Sequence, residues 1–428
     1  MKKNVKRIIT FFISIGIIST NHTYAFANEI KMNNEVSSTS SIITLDKVIN
    51  AAINNSDKLE LKTKDIKYYR DKIKFQKSAN DFYEEVNDDD VDEQLLDFKY
   101  HQLKILKDQS EESKKFLEDQ IASKITDMYN NIVIKQMEID NLNESVQIKN
   151  NDLYYLRVKA EIGKYKFNDL EDRELEIKSL KDNIESKQNL LNINKEYLGI
   201  LTGLDLSNSN FDQNINYDKV SIGKSIDNYL DDKIDKYLHY NEEILEITED
   251  CFKDIKEDGV DDILDEDTPS SPSASNYITK TDGEDGKINV SVDYGSYAVA
   301  LMKYKSEVET YVKHLNRYES YLDGMHNVDE GKVKLEDSKK SLKNGLKETY
   351  AAVINLENTI DNLKETIKST NKKLEFAKAS VEHGMMTKND YEAKVLSVKQ
   401  LEINLKNLIS THNSLISNIE KPWTLINN

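Results

Sequence analysis

Apolar residues recur three, four or seven positions apart over a long stretch near the C-terminus: Leu342, Leu346, Val353, Leu356, Ile360, Leu363, Ile367, Leu374, Ala377 and Val381. The positions 221 residues earlier are Ile121, Ile125, Ile132, Lys135, Ile139, Leu142, Val146, Leu153, Leu156 and Ala160, and nine of these ten are again apolar. A spacing that averages 3.5 residues keeps one stripe of a helix turned toward a partner helix, so each stretch predicts a coiled-coil seam. Ile121 to Ala160 alone predicts a helix about 60 Å long at 1.5 Å per residue. One phase held at one offset predicts a duplicated unit.

The offset also relates two polar breaks. Glu161-Ile162-Gly163-Lys164-Tyr165-Lys166-Phe167-Asn168-Asp169 reappears as Glu382-His383-Gly384-Met385-Met386-Thr387-Lys388-Asn389-Asp390, with Glu, Gly, Asn and Asp at matching places. Gly163 and Gly384 suit the left-handed residue that ends a helix. Asn168 or Asp169, and Asn389 or Asp390, suit N-caps, because a short oxygen-bearing side chain accepts from the free N–H groups of a first turn. Apolar rows then resume at Leu170, Ile177, Ile184, Leu191 and Leu198, and at Tyr391, Val395, Val398, Leu405, Leu408 and Leu415. Each copy therefore predicts an antiparallel helical hairpin with its tip at the glycine.

Both copies also predict a similar opening. Ile43-Thr44-Leu45-Asp46 leads into Val48, Ile49, Ala52 and Ile53, then Asn54-Asn55-Ser56 and a helix to about Lys77. Val220-Ser221-Ile222-Gly223 leads into Ile226, Tyr229 and Leu230, then a helix through Ile247. The expected layout is a leader over 1–27, a linker over 28–42, repeat 1 over 43–204, a linker over 205–218 and repeat 2 over 219–428, with an acidic loop insert at 254–296. The fold class is all-α.

Composition agrees with long amphipathic helices. Only 3 Pro and 13 Gly occur in 428 residues, with 32% charged and 38% hydrophobic side chains, too few turn residues for an ordinary α/β domain. Lys2, Lys3, Lys6 and Arg7 precede an apolar run from Ile8 to Ile18 and an Ala25-Phe26-Ala27 site, the pattern of a Sec signal peptide cleaved after Ala27. The apolar run is too short for a permanent span, and no other stretch approaches transmembrane length. The net charge of −18 becomes −22 without the four basic residues of the leader, a field that repels nucleic acid. Cys251 is the sole cysteine, so no internal disulfide is available.

On the opening Ile43-Thr44-Leu45-Asp46…Ala51-Ala52…Asn54-Asn55, the tips around Gly163 and Gly384, and the closing Tyr197-Leu198…Leu201-Thr202-Gly203, the chain resembles the TolC-like outer-membrane efflux family over nearly all its mature length. The resemblance implies two-repeat protomers assembled as a homotrimer. It implies a hollow tube of hairpins that docks through its tips onto a membrane-fusion adaptor and an ABC or RND pump. The family's tips carry acidic rings. Asp169 and Asp390 match the family aspartate by position, whereas a second acidic place is filled by Asp172 in one repeat and by Ala393 in the other. The basic residue often found two places after the family glycine is Tyr165 or Met386 here. The tip residues Gly163, Asn168, Asp169, Asp172, Gly384, Asn389 and Asp390 thus carry two readings, partner docking through an acidic ring or plain helix capping.

The family also inserts an amphipathic β-hairpin into each repeat to build a membrane barrel, whose strands need about 9–11 alternating residues. Asn80 to Leu95 holds Asp88-Asp89-Asp90 and Asp92-Glu93, and is too short and acidic for two such strands. Asp254 to Gly286 holds Asp261-Asp262, Asp265-Glu266-Asp267, Pro269 and serines, which predicts a polar, partly disordered loop. Only Lys287 to Tyr297, with Ile288, Val290, Val292 and Tyr294 on one face, predicts a short strand or hairpin. Little or no barrel is expected, which suits a tube in or across a cell wall.

No catalytic, cofactor or metal constellation emerges. The acidic run Asp261 to Asp267 lacks EF-hand spacing, and His101, His239, His314, His326, His383 and His412 show no paired ligand spacing. The expected function is a non-enzymatic, exported conduit or scaffold of an efflux or secretion assembly in the cell envelope. The alternative is a cell-surface structural coiled coil, such as a wall spacer or adhesin, without transport.

Overall fold

The computed structural model describes residues 42–86, 93–164, 167–223, 225–282 and 288–427. The expected signal peptide lies outside these residues. Among them the order is β1 (Ile42–Ile43), α1 (Leu45–Asn54), α2 (Asp57–Val86), α3 (Glu93–Glu161), α4 (Phe167–Thr202), β2 (Asn210–Phe211), α5 (Ile226–Glu257), β3 (Ile278–Asp282), β4 (Ile288–Val292), α6 (Tyr294–Glu382) and α7 (Lys388–Glu420), with short 3-10 turns at Asp262–Leu264, Ala274–Tyr277 and Pro422–Asn427. The fold is all-α apart from two two-stranded sheets, and the described strands close no barrel.

The chain divides into two units, one comprising 68–108 and 238–338, the other 42–67, 109–237 and 339–427 among the described residues. In the second unit the heptad reading holds position by position. All ten seam residues on α6 and all ten on α3 are buried or half-buried, Lys135 included. The return helix α4 buries Leu170, Ile177, Leu191 and Leu198. Two of these, Leu191 and Leu198, join Ile125, Tyr129, Ile132 and Ile139 of α3 in one core with Ile43, Val48 and Ala52. Salt bridges Lys149–Glu176 (2.5 Å) and Lys187–Glu138 (2.7 Å) flank the α3–α4 seam.

Helix α3 carries a second packed face, against α7. Lys399 bridges both carboxylate oxygens of Glu144 at 2.7 and 2.6 Å, Asn141 donates to Gln400 (3.0 Å) and Asn130 donates to Ser410 (3.1 Å). The polar partners on this face lie off the heptad stripe, so the stripe did not announce them. Asp127 lies in the same interface beside Ser414 (3.4 Å), and burial pushes its carboxyl above the ordinary range. A carboxyl whose folded pKa is raised binds its proton more tightly folded than unfolded, so stability falls as pH rises from the ordinary carboxylate range to the raised value. Asp127→Asn removes that loss. We expect a higher Tm than wild type at pH 7 and no advantage below the ordinary carboxylate range, measured by thermal melts across pH.

The openings of the two repeats differ, contrary to the sequence reading. In repeat 1, β1 pairs in parallel with β2, which lies within the expected 205–218 linker. The chain then breaks between α1 and α2 at Asn55, whose Nδ2 donates to the Ile200 and Leu201 carbonyls at 3.2 Å. Those carbonyls sit in the last turn of α4, where no intrahelical donor remains. In repeat 2, Val220 to Gly223 form no strand and α5 runs unbroken from Ile226. Val220 N–H instead donates to Glu357 (2.8 Å), whose carboxylate also meets the fully buried His412 (3.2 Å). The reason is chemical: no Asn-Asn-Ser follows Leu230, so nothing stops the helix.

In the first unit a smaller core gathers Phe98, Cys251, Phe252, Ile255, Val260 and Val328. The acidic segment after α5 is more ordered than its composition suggests. Gly259 turns at φ 76°, and the following 3-10 turn buries Ile263 while Leu264 stays exposed. Glu266 reaches His314 at 3.1 Å. The strand expected over Lys287 to Tyr297 is β4, and it pairs antiparallel with β3 as a short hairpin. Asn80 to Val86 extend α2, and α3 begins at Glu93, so helix occupies the flanks of the first expected insertion point. No described helix is long and apolar enough to cross a membrane.

Candidate functional site: the hairpin tips

Both tips close by the same backbone device. At the end of α3, Gly163 (φ 72°) donates to the Ala160 carbonyl at 3.0 Å and Lys164 to that of Lys159 at 2.8 Å. At the end of α6, Gly384 (φ 69°) donates to Val381 at 3.0 Å and Met385 to Ser380 at 2.8 Å. This pair of bonds, with a left-handed residue between, is a Schellman closure. An L side chain at that φ crowds the adjoining carbonyl at a cost of about 1–2 kcal/mol, so glycine is the fitting residue. No atom lies near a Cβ built on either glycine, so the constraint is conformational alone.

The cap assignments need correction. The N-cap of α7 is Thr387, whose Oγ1 accepts from the Asp390 N–H at 3.0 Å and donates to the Asp390 carboxylate at 2.7 Å. Asp390 is therefore in the first turn, where its N–H and its carboxylate both bond the Thr387 hydroxyl. The T-x-x-D spacing of Thr387 and Asp390 carried that signal in the sequence. Helix α4 starts at Phe167, so Asn168 and Asp169 also sit inside the first turn, one and two residues past its first position. The side chain of Asn168 lies outside the described residues. Asp169, Asp172 and Asp390 are all exposed.

Asn389 caps nothing. It is buried, and its Nδ2 donates to the Ile148 carbonyl (3.1 Å) and to the Asp152 carboxylate of α3. The second tip is thereby pinned to the shaft of the first hairpin. Asn389 lies five residues from Gly384, whereas Ile148 and Asp152 lie fifteen and eleven from Gly163. At 1.5 Å per residue the first tip reaches roughly 10 Å further than the second. Its approach exposes Tyr154, Tyr155, Val158 and Ile162, and the second tip exposes Met385. Tyr154 and Tyr155 suit packing or interface roles by residue type, and a 3.5-residue seam leaves all of these side chains on its outer face. Among the described residues no group of three or more His, Cys, Asp or Glu side chains has the placement to hold a metal ion.

No family model matches the chain, and no curated protein sequence does. Solved structures do match its fold. A membrane protein from Pseudomonas aeruginosa superposes with a TM-score of 0.51 at 11% identity, covering 89% of this chain and 93% of its own. CusC, whose structures concern folding and transmembrane channel formation, gives 0.50 at 12% identity, covering 89% and 91%. The Campylobacter jejuni CmeC outer membrane channel gives 0.50 at 12% identity, covering 94% of each chain. The chain therefore has the TolC-like helical-hairpin fold.

Proposed function

We propose that this chain is an exported, non-enzymatic TolC-like component of an efflux or secretion assembly in the cell envelope. Its copies build a homotrimeric helical conduit, and its tips dock a membrane-fusion adaptor serving an ABC or RND pump. One observation carries the reading: α4 leaves a row of large apolar side chains bare. On α4 the exposed row Leu190, Ile193, Tyr197 and Ile200 is spaced three, four and three, the period of a coiled-coil seam without its partner. A helix layer with an unpaired apolar edge is stable in water when another copy covers it. The fold likeness to channel-forming proteins supports the same direction, though at this identity it speaks for architecture.

At the tips, Gly163 and Gly384 set the reversals, the exposed Asp169, Asp172 and Asp390 supply the acidic positions, and the apolar approach to Gly163 supplies contact area. Asn389, paired inward, positions the second tip. The test is mass. Multi-angle light scattering of the mature chain should give three times the protomer mass, and a monomer across a hundredfold concentration range overturns the conduit. Intact export of dyes by a deletion strain, with altered surface attachment, would instead select the wall-spacer or adhesin alternative.

A further inference from the structure

Between α5 and β3 the chain is fixed at two points. Upstream, Ile263 is buried and Glu266 reaches His314 of α6 (3.1 Å). Downstream, Tyr277 packs on Tyr297 with ring centroids 5.3 Å apart, and its carbonyl accepts from the Asp293 N–H at 2.9 Å. Among the described residues, backbone hydrogen bonding runs up to Glu266, which donates to Ile263 (3.4 Å), and resumes at Ser273, which accepts from Asn276 (3.1 Å). Across that gap the sequence reads Thr268-Pro269-Ser270-Ser271-Pro272-Ser273. Each proline fixes its own φ at about −65° and drives the residue before it into extended backbone. Ser273 has φ −74° and ψ 125°, close to polyproline II. That helix has three residues per turn, so Pro269 and Pro272 share one face. They are the half-buried positions, whereas Thr268, Ser270, Ser271 and Ser273 are exposed. The prolines lean on the protein, and the segment presents hydroxyls. A proline-reading partner would need the rings outward.

We infer that Thr268, Ser270, Ser271 and Ser273 form an O-glycosylation acceptor segment, a modification that rests on the exported reading above and takes its sugar from a donor activated as a glycosyl phosphate. Serine- and threonine-rich sequence with proline is the composition that carries such sugars. In the transfer the hydroxyl oxygen forms a bond to the anomeric carbon. The bond from that carbon to the donor's phosphate oxygen breaks, the phosphate leaves with the electron pair, and the hydroxyl proton passes to a base of the transferase. An extended acceptor with unpaired backbone groups can lie along an enzyme's cleft as an added strand does. Phosphate suits the segment less well, because Asp261, Asp262, Asp265, Glu266 and Asp267 precede it and repel an added dianion. A neutral sugar adds no charge. Its bulk would shield an exposed loop, the kind of site that proteases nick.

The test is intact-mass spectrometry of the full chain recovered from the envelope of its own cells, with peptide mapping by electron-transfer fragmentation. Peptides spanning 267–277 should carry added mass in whole sugar residues, placed on one or more of these hydroxyls. Combining Thr268→Ala, Ser270→Ala, Ser271→Ala and Ser273→Ala should abolish that mass. The combined variant should keep the wild-type helical circular dichroism, since all of these side chains are exposed. Ser320→Ala, at a hydroxyl on α6 that donates to the Asn316 carbonyl (2.8 Å), should leave the added mass in place. A chain cleaved of its leader but unmodified overturns the acceptor segment and leaves the exported reading standing. A phosphate mass, or a sugar mass that survives in the combined variant, does the same. A chain that keeps its leader overturns both.

Discussion

Trp423→Ala should lower the melting temperature of the chain by about 10 °C, the largest loss expected from any one side chain outside the helical seams. Trp423 is 4% exposed and stacks on Phe116 of α3 with ring centroids 4.2 Å apart. Its indole N–H donates to Asp119 (3.0 Å) and its carbonyl accepts from Gln120 (2.6 Å). Truncating a buried aromatic costs about 3–5 kcal/mol through lost transfer energy and the cavity left behind. In a unit of this size each kcal/mol lowers Tm by about 2–4 °C. Trp423→Phe keeps the stack and loses the N–H bond, which nets about 1 kcal/mol. Asp119 then still has Lys421 at 2.7 Å. Differential scanning calorimetry of the two variants separates stacking from hydrogen bonding; equal shifts would mean the ring contributes little.

The second large effect concerns the other unit. Gly324→Ala sits inside α6, where helix propensity alone favours alanine over glycine by about 1 kcal/mol. A Cβ at this position would lie 2.0 Å from Cζ of Phe252, with two more ring carbons within 2.5 Å. Phe252 is itself buried in the core it shares with Val328 and Ile255, so a shift of the ring disturbs those packed neighbours. Overpacking of a filled core costs about 1–3 kcal/mol, which exceeds the propensity gain, so net destabilisation is expected. Hydrogen exchange should rise around Phe98, Phe252 and Val328. Phe252→Leu in the same chain should recover part of the loss, because the two positions are in contact and their effects are not additive. A stabilised Gly324→Ala protein would show that the ring moves freely and that the core is loosely packed.

These two sites also mark what the sequence disclosed. Gly324 looks like an ordinary helix interior glycine until Phe252, 72 residues earlier, is seen to fill the space a Cβ would take. Trp423 finds its partners Phe116, Asp119 and Gln120 some 300 residues away, with no periodic signal. The tips divide in the same way. Gly163 and Gly384 were readable because only a left-handed conformation ends a helix with two backward bonds, a local matter of φ and two N–H groups. Asn389 was not, because its role depends on which helix stands beside it. The resemblance of the openings misled for the converse reason: apolar spacing after Val220 matches that after Ile43, but without an Asn-Asn-Ser break the backbone continues as helix.

By itself the sequence determined the all-α class, the duplication, the phase of both seams, the glycine reversals and the shortage of strands for a barrel. Each is a periodic or local property, written in spacing and in backbone stereochemistry. Tertiary structure alone decided which helix lies beside which: the polar pairs between α3 and α7, the strap of Asn55 across the end of α4, the inward pairing of Asn389 and the bare apolar row of α4. A polar contact between helices leaves no hydrophobic period, since its energy comes from matched donors and acceptors at positions that are otherwise indistinguishable from a solvated face.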